Sequence, residues 1–409
     1  MKRGTLLFLV LVAALATMAQ KVQVSGTVVD GATGRVVAGA SVTADGHSVV
    51  TNADGFFTLK SEQKPEAVVV SHVGYRSKRV AVTGERLTVR LEPTVVHLHE
   101  VLVMADNPRE LVQAAIRKIP LNYSSRPELY HCFYRETAMK RQHYITVAEG
   151  VVEMYKTGTK TITGTKTGRD RVAISKGRRL LSAKQNDTLG VKVLGGPVTA
   201  VQLDIVKNTD FLLNDGDLDC YDLKMETPTA IADRPQYVVS LVPRVTMPYA
   251  LYYGKLYIDQ ETLAFTRVEL SLDMSDRQKA TAVMLVRKPL GVRFKPRELS
   301  LLVDYRLGSD GVMRLSYMRT TFRFNCDWKR RLFATSFTAT CEMAVTSSTD
   351  RDVQPIRGRD SFDQRDAFFD KVDYFRDPVF WQDYNIIEPT ESLDKAVNRL
   401  LKKHGQAAE

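Results

Sequence analysis

The sequence predicts a mainly β protein, in which a small β-sandwich precedes a larger antiparallel half-barrel or open sheet with a few helices. Three observations carry this reading. Between Val22 and Pro93, short apolar runs alternate with period two and are cut by turn clusters roughly every 8–12 residues. From Leu129 to Thr346 the chain is again alternating, or rich in β-branched and aromatic residues, almost throughout. Helical periodicity is confined to a stretch after Asn107-Pro108 and another over Ser392–Lys403.

In chain order, Lys2 and Arg3 precede the apolar run Leu6–Leu15, and small residues lead to a cleavage point after Ala19. That is the layout of a secretory signal peptide, too short and wrongly flanked for a membrane anchor. No Cys follows the run, so a lipidated N-terminus is not expected. Residues 1–19 are read as a leader and the mature chain as exported.

Residues 20–93 carry the runs Val22-Val24-Gly26-Val28, Ala40-Val42, Phe57-Leu59, Val68-Val70, Val80-Val82 and Leu87-Val89-Leu91. Asp30-Gly31, Thr33-Gly34, Asp45-Gly46, Asn52-Ala53-Asp54-Gly55 and Gly84-Glu85 separate them, as turns of a small antiparallel sandwich would. Gly34 and Gly55 fall where a tight turn calls for positive φ.

The order of these motifs resembles a known module. Gly26-Thr27-Val28-Val29-Asp30, Thr33-Gly34, Ala38-Gly39-Ala40-Ser41-Val42, Thr51–Phe57 and Ser71-His72-Val73-Gly74-Tyr75 are similar to the carboxypeptidase regulatory-like domain. The resemblance implies a transthyretin-like or immunoglobulin-like fold and a place among Bacteroidota cell-envelope proteins. It also implies no catalysis, because the module accompanies some carboxypeptidases without being their catalytic part. His72 departs from the pattern, standing where an aromatic residue often precedes the Gly-Tyr pair.

Residues 94–128 are read as a linking strand and helix. Thr94–Met104, TVVHLHEVLVM, resembles the segment that follows this module in TonB-dependent outer-membrane receptors. The residues after it are too few for a plug and a barrel of about 22 strands, so a receptor is not expected. His97 and His99 share one face of a strand with no third ligand in view, and no metal is assigned to them. Asn107 then caps a helix, with Pro108 at its first position and Glu110 in its first turn. Leu111, Val112, Ala115, Ile116 and Ile119 form its apolar face, and Pro120 is expected to stop it.

In residues 129–346 consecutive strands joined by short turns, at Asp259–Glu261, Arg287–Pro289, Gly308–Gly311 and Asp327–Arg330, predict an antiparallel meander. Tyr253–Asp259 with Leu263-Ala264-Phe265 resembles the strand–turn–strand of periplasmic lipoprotein-carrier half-barrels. Phe133–Glu136 and Lys176–Arg179 resemble envelope proteins that join the same sandwich to a β-rich domain. Residues 347–409 form a tail whose Phe380, Trp381 and Tyr384 are too aromatic for a disordered linker. It is expected to dock on the β domain, or to present these three rings as a ligand platform, before a short amphipathic helix.

The formal charge is +11. The two basic residues of the leader add +2 and the tail, with ten basic and thirteen acidic residues, adds −3, so the body carries +12. Lys156, Lys160, Lys166, Arg169, Arg171, Lys176, Arg178, Arg179 and Lys184 face one acidic residue, Asp170, over Lys156–Lys184. With a TGTKT repeat and no apolar alternation, this stretch is expected to be an exposed hairpin or loop. Its field would draw anionic lipid, acidic glycan or another envelope protein, whereas export argues against nucleic acid.

Four Cys (Cys132, Cys220, Cys326, Cys341) allow up to two disulfides, and Cys326 and Cys341 would face each other across a turn at Asp327–Arg331. The plainer reading makes all four small buried residues in strands. Asp215, Asp217, Asp219 and Glu226 match positions of a calcium loop, but Cys220 stands where that loop needs Gly, so an acidic turn before a strand is expected. No nucleophile elbow, zinc-protease helix, P-loop or dinucleotide fingerprint occurs. The sequence therefore reads as an exported, non-catalytic cell-envelope protein that binds or scaffolds, with no cofactor. Its rivals are a periplasmic lipid or lipoprotein carrier with an apolar half-barrel cavity, and a hydrolase whose site no motif marks.

Overall fold

The computed structural model describes residues 21–84, 86–94, 107–159, 169–182, 191–193, 195–209, 212–328, 334–363, 366–374, 381 and 384–408. The expected leader lies outside them, as do His97, His99, Lys160, Lys166, Lys184 and Phe380.

Seven strands build the sandwich: β1 (Val22–Asp30), β2 (Ser41–Ala44), β3 (His47–Val50), β4 (Phe56–Ser61), β5 (Ala67–Ser71), β6 (Lys78–Ala81) and β7 (Arg86–Leu91). They lie in two sheets, β4-β1-β7 and β3-β2-β5-β6. Period-two alternation sends Val24, Val28, Val42, Val68, Val70, Phe57 and Leu59 into one shared core between the sheets. Gly34 and Gly55 do adopt positive φ, 70° and 72°. The sandwich is not antiparallel throughout, because β1 pairs with β7 in parallel. The five strands between them cross from one sheet to the other and back, which supplies the long connection a parallel pair requires.

Helix α1 (Pro108–Asn122) begins as expected, with the Asn107 side chain accepting from the amides of Arg109 and Glu110. Pro120 sits inside its last turn instead of ending it, and the helix closes two residues later, where the Tyr123 amide donates to Ile119.

The second unit follows. Its strands are β8 (Glu128–Lys140), β9 (His143–Lys156), β10 (Arg171–Leu181), β11 (Lys192–Val193), β12 (Tyr221–Ile231), β13 (Arg234–Pro243), β14 (Tyr252–Asp259), β15 (Phe265–Leu272), β16 (Leu285–Arg287), β17 (Val292–Leu307), β18 (Met313–Trp328), β19 (Thr335–Thr349) and β20 (Asp373–Tyr374). Short helices α2 (Val198–Gln202), α3 (Asp215–Leu218) and α4 (Arg277–Met284) interrupt them, and α5 (Glu391–Ala408) is the last element. One sheet has the order β12-β13-β14-β15-β17-β18-β19-β8-β9-β10-β20, while β11 and β16 pair apart from it. Ten of its strands are antiparallel neighbours, and the two-residue β20 joins β10 in parallel. Because β12 and β20 are edges, the sheet is open, one of the two forms the sequence predicts.

Alternation gives this sheet two different faces. On the inner face Val239, Leu256, Leu270 and Val303 pack with Leu111, Val112, Ala115 and Ile119 of α1 in one core. Farther along, Ala280 and Met284 of α4 cover Phe294, Phe322, Phe324 and Phe337. On the outer face Phe133, Val151, Tyr317 and Ala344 meet Val50 of the sandwich and Trp381, Ile386 and Ile387 of the tail.

The tail wraps the β10 edge. Phe362, Phe368 and Val372 lie in the inner core, whereas Trp381–Ile387 lies on the outer face. Gly150 and Gly177, register partners on β9 and β10, make room for it. A Cβ at Gly150 would stand 2.6 Å from the Phe368 ring, and one at Gly177 would stand 2.3 Å from Val372 Cγ1.

All four cysteines are free, three of them buried. The expected facing of Cys326 and Cys341 does not occur. Cys326 is opposite Thr335 and Cys341 opposite Thr320, so they stand six register positions apart along the β18–β19 pair.

Candidate ligand cleft between the sandwich and the sheet

The sandwich covers only part of the outer face, and the gap at its border is lined by apolar side chains such as Val50, Val73, Ile231 and Met313 as well as by polar ones. The alternation that buries Val303 and Tyr305 turns Asp304 and Arg306 of β17 outward, and likewise Arg267 and Glu269 of β15. Across from them stand Ser41 and Ser48 of the β2–β3 hairpin, with Ser71 at the end of β5 and His72 just after it. These walls enclose a space of about 130 Å³. Beyond Arg306 it gives way to a wider cleft of about 950 Å³, bordered by Asp45, His47, Lys64 and Glu66 on one side and Asp310 and Arg314 on the other.

Most charges here are matched. Arg267 donates to Glu269 at 2.7 Å and to both Asp304 oxygens at 3.1 and 3.3 Å. Burial nonetheless outweighs Arg267 and raises the Asp304 carboxyl above its ordinary value. Arg234 grips Asp259 with two bonds of 2.6 and 2.7 Å, and Asp259 also accepts from the amides of Glu261 and Thr262. Burial would raise the Asp259 carboxyl, but Arg234 and Thr262 outweigh it and hold it low. Burial and the nearby Arg267 push the His72 imidazole below its usual range.

Arg306 and Arg314 are direct register partners on β17 and β18. Arg314 is neutralised twice, by Glu128 at 2.7 Å and by Asp310 at 2.7 Å. Its hydrogen bonds bring the Asp310 carboxyl down to about 2. Among the described residues Arg306 has no carboxylate within ion-pair distance, and its guanidinium donates to the Ser48 hydroxyl at 2.5 Å.

The structure separates the residues singled out from sequence. Of the two forms expected for the basic stretch, the hairpin is the one that agrees with the strands, since Lys156 ends β9 and Arg171–Leu181 is its antiparallel partner β10, but its described cations are largely not exposed. Lys156, at the end of β9, is buried with its ammonium on Asp204, which also accepts from Tyr305 at 2.8 Å. Burial would lower its pKa, but Asp204 and Asp170 outweigh burial and raise it. Arg171 donates to the Ile356 carbonyl at 2.6 Å and Arg179 to that of Phe369 at 2.5 Å. Arg178 bonds Glu149 and lies 5.0 Å from the Trp381 ring, while the Lys176 ammonium is 5.6 Å from the Tyr384 ring. Arg169 alone of the described cations in this group is exposed. The turn-like composition masked a strand whose polar side chains are engaged by the tail.

Of the three rings read as a platform, Trp381 and Tyr384 are among the described residues. Trp381 is buried edge-on against Phe133 at 5.6 Å, its indole N–H donates to Glu149 at 3.2 Å, and Tyr384 is half-buried beside it. The tail does dock on the β domain, as one of its two readings requires, and it holds the sandwich as well. The acidic residues near 215–226 go to separate places: the Asp217 carboxylate accepts from the Asn214 side-chain amide, Asp219 pairs with Arg109 at 2.9 Å, and Glu226 is exposed on β12. Among the described residues no cluster of three or more His, Cys, Asp or Glu is placed to hold a metal.

Arg306 and Ser48 were not singled out from sequence, and His72 was noted there only as a departure from the motif. No local signal marked them, since the facing of Arg306 and Arg314 depends on the exact register of the β17–β18 pair.

The fold of the first unit and its motif order are matched by one family. Residues 24–103 fit the CarboxypepD_reg-like domain. One wall of the cleft therefore belongs to this regulatory-like domain, a non-catalytic immunoglobulin-like module. Among curated proteins none matches the chain. Among solved structures, a DUF1329 family protein from Desulfovibrio piger is 11% identical, with 61% of this chain and 95% of that one covered and a TM-score of 0.24. A putative membrane-associated protein of unknown function from Bacteroides fragilis is 12% identical over 80% and 98%, with a TM-score of 0.16. A LolA superfamily protein from Nitrosomonas europaea is 12% identical over 60% and 94%, with a TM-score of 0.20. Among the described residues no helix beside or beyond the regulatory-like domain is long and apolar enough to cross a membrane.

Proposed function

We propose that this chain is an exported, non-catalytic binding protein of the cell envelope, whose ligand lies in the cleft between the sandwich and the sheet. The observation that carries this reading is the cleft itself, an open polar space of about 950 Å³ between two units tied together by the tail. Clefts at domain borders are a usual place for ligands. The paired charges of its inner end, Arg267 with Asp304 and Arg234 with Asp259, suit fixed recognition better than proton transfer. Export is supported by the basic and apolar leader. The carrier reading asks for an apolar cavity on the inner face, and there α1 packs directly onto the sheet.

Hydrogen exchange on the mature chain tests this, with an acidic oligosaccharide, a neutral one and vesicles containing anionic lipid as separate probes. A cleft ligand protects residues 41–50 and 304–316. Loss of protection in α1 on adding vesicles, with no change at the cleft, would overturn the reading in favour of a lipid carrier.

A further inference from the structure

Arg306 stands in the wall shared by the enclosed space and the wider cleft. A like charge, Arg314, faces it across the β17–β18 pair, an arrangement that costs stability unless something neutralises it. Glu128 and Asp310 neutralise Arg314, while Arg306 is left with a neutral hydroxyl. Ser48 is the hydroxyl it touches, and Ser41, Ser71, Thr262 and Ser316 also line the enclosed space that it borders. A guanidinium without its own carboxylate, set among hydroxyls at the neck of a cleft, matches an oxyanion carried on a polyhydroxylated ligand.

We propose that Arg306 anchors the carboxylate or phosphate of a sugar-like ligand, an assignment that rests on the cleft reading above. The fork of Arg306 takes the oxyanion, and Ser48 and Ser41 take neighbouring hydroxyls. Burial and Arg314 already push the Arg306 guanidinium down from its ordinary value, a cost that a bound anion relieves.

The test is titration calorimetry and hydrogen exchange on the mature chain with trigalacturonate, neutral galactotriose and inorganic phosphate. Trigalacturonate binds the wild type, more weakly at high salt, and protects 41–50 and 304–316; galactotriose binds at least about tenfold more weakly, a difference of about 1.4 kcal/mol. Arg306→Gln loses about tenfold or more in affinity while its melting temperature holds or rises, because the repulsion with Arg314 is gone. Arg306→Lys keeps the charge but loses the fork, and falls between the two. Equal binding by Arg306→Gln or unchanged binding by Arg306→Lys would overturn the assignment. Phosphate bound in an Arg306-dependent way with no binding of trigalacturonate would overturn the sugar-like scaffold. Protection of the cleft by galactotriose alone would sink the anion assignment and leave the cleft reading standing, whereas trigalacturonate protecting only another face would sink both.

Discussion

The Lys60 ammonium of the sandwich donates to the Trp381 carbonyl at 2.6 Å, across 321 positions of chain. The same residue meets Asn385 in a reciprocal pair, its amide donating to Asn385 Oδ1 at 2.7 Å and its carbonyl accepting from Asn385 Nδ2 at 2.9 Å. Because β4 is an edge strand, the Asn385 side chain supplies the partner that a further strand would have given. Asn52 and Asp54, from the turn before β4, bind Pro389 and Glu391 of the same tail segment.

Asn385→Ala should therefore loosen the two units before it unfolds either. It strips partners from a buried amide and carbonyl, each costing about 1–3 kcal/mol when left unsatisfied. Calorimetry should show the single unfolding transition splitting or falling by several degrees, and an unchanged transition would contradict this role.

Glu149 is the buried charge under that joint, 2.7 Å from Arg135 and 3.1 Å from Arg178. Burial would raise its carboxyl, but the two arginines and Trp381 outweigh burial and hold it below the ordinary 4.5. A lowered folded pKa gives stability that is complete above pH 4.5 and is lost as pH falls through the folded value. Glu149→Gln should cost about 3–5 kcal/mol at neutral pH, read by denaturant unfolding, with the difference shrinking in acid.

Gly177 admits Val372 where any side chain would collide. Gly177→Val should destabilise by about 1–3 kcal/mol through overpacking, and should free the tail from the inner face. Limited proteolysis checks the second part: cleavage within residues 358–374 should quicken in the variant.

His72 should make the cleft acid-sensitive. Its folded pKa lies below the ordinary 6.5, so the unfolded chain takes up the proton first and stability falls as pH drops below 6.5. Arg267 and Glu269 face the ring with opposite effects, Arg267 the stronger. The melting temperature of wild type relative to His72→Gln should decline between pH 7.5 and 5.5; a pH-independent difference would contradict the argument.

The alternation of valines, the turn glycines and the Asn107 cap made most strands and α1 legible in sequence, because each follows from local pattern. The pairing of β19 with β8 and of β1 with β7 was not, since both are long-range choices that no local pattern encodes. β10 was missed because Lys176, Arg178 and Arg179 look like a solvated run until the tail carbonyls and rings that engage them are in place. The cleft was illegible for the same reason: Ser48 and Arg306 are 258 positions apart.

A fixed cleft is the claim on which the functional account rests, and a dipolar distance measured across it is the most direct test. Lys64→Cys and Ser309→Cys place nitroxides on two exposed cleft positions, while the native thiols are buried or half-buried. The account predicts one narrow distance distribution in the otherwise wild-type chain, broadened by Asn385→Ala. A broad or multiple distribution without that substitution would contradict it.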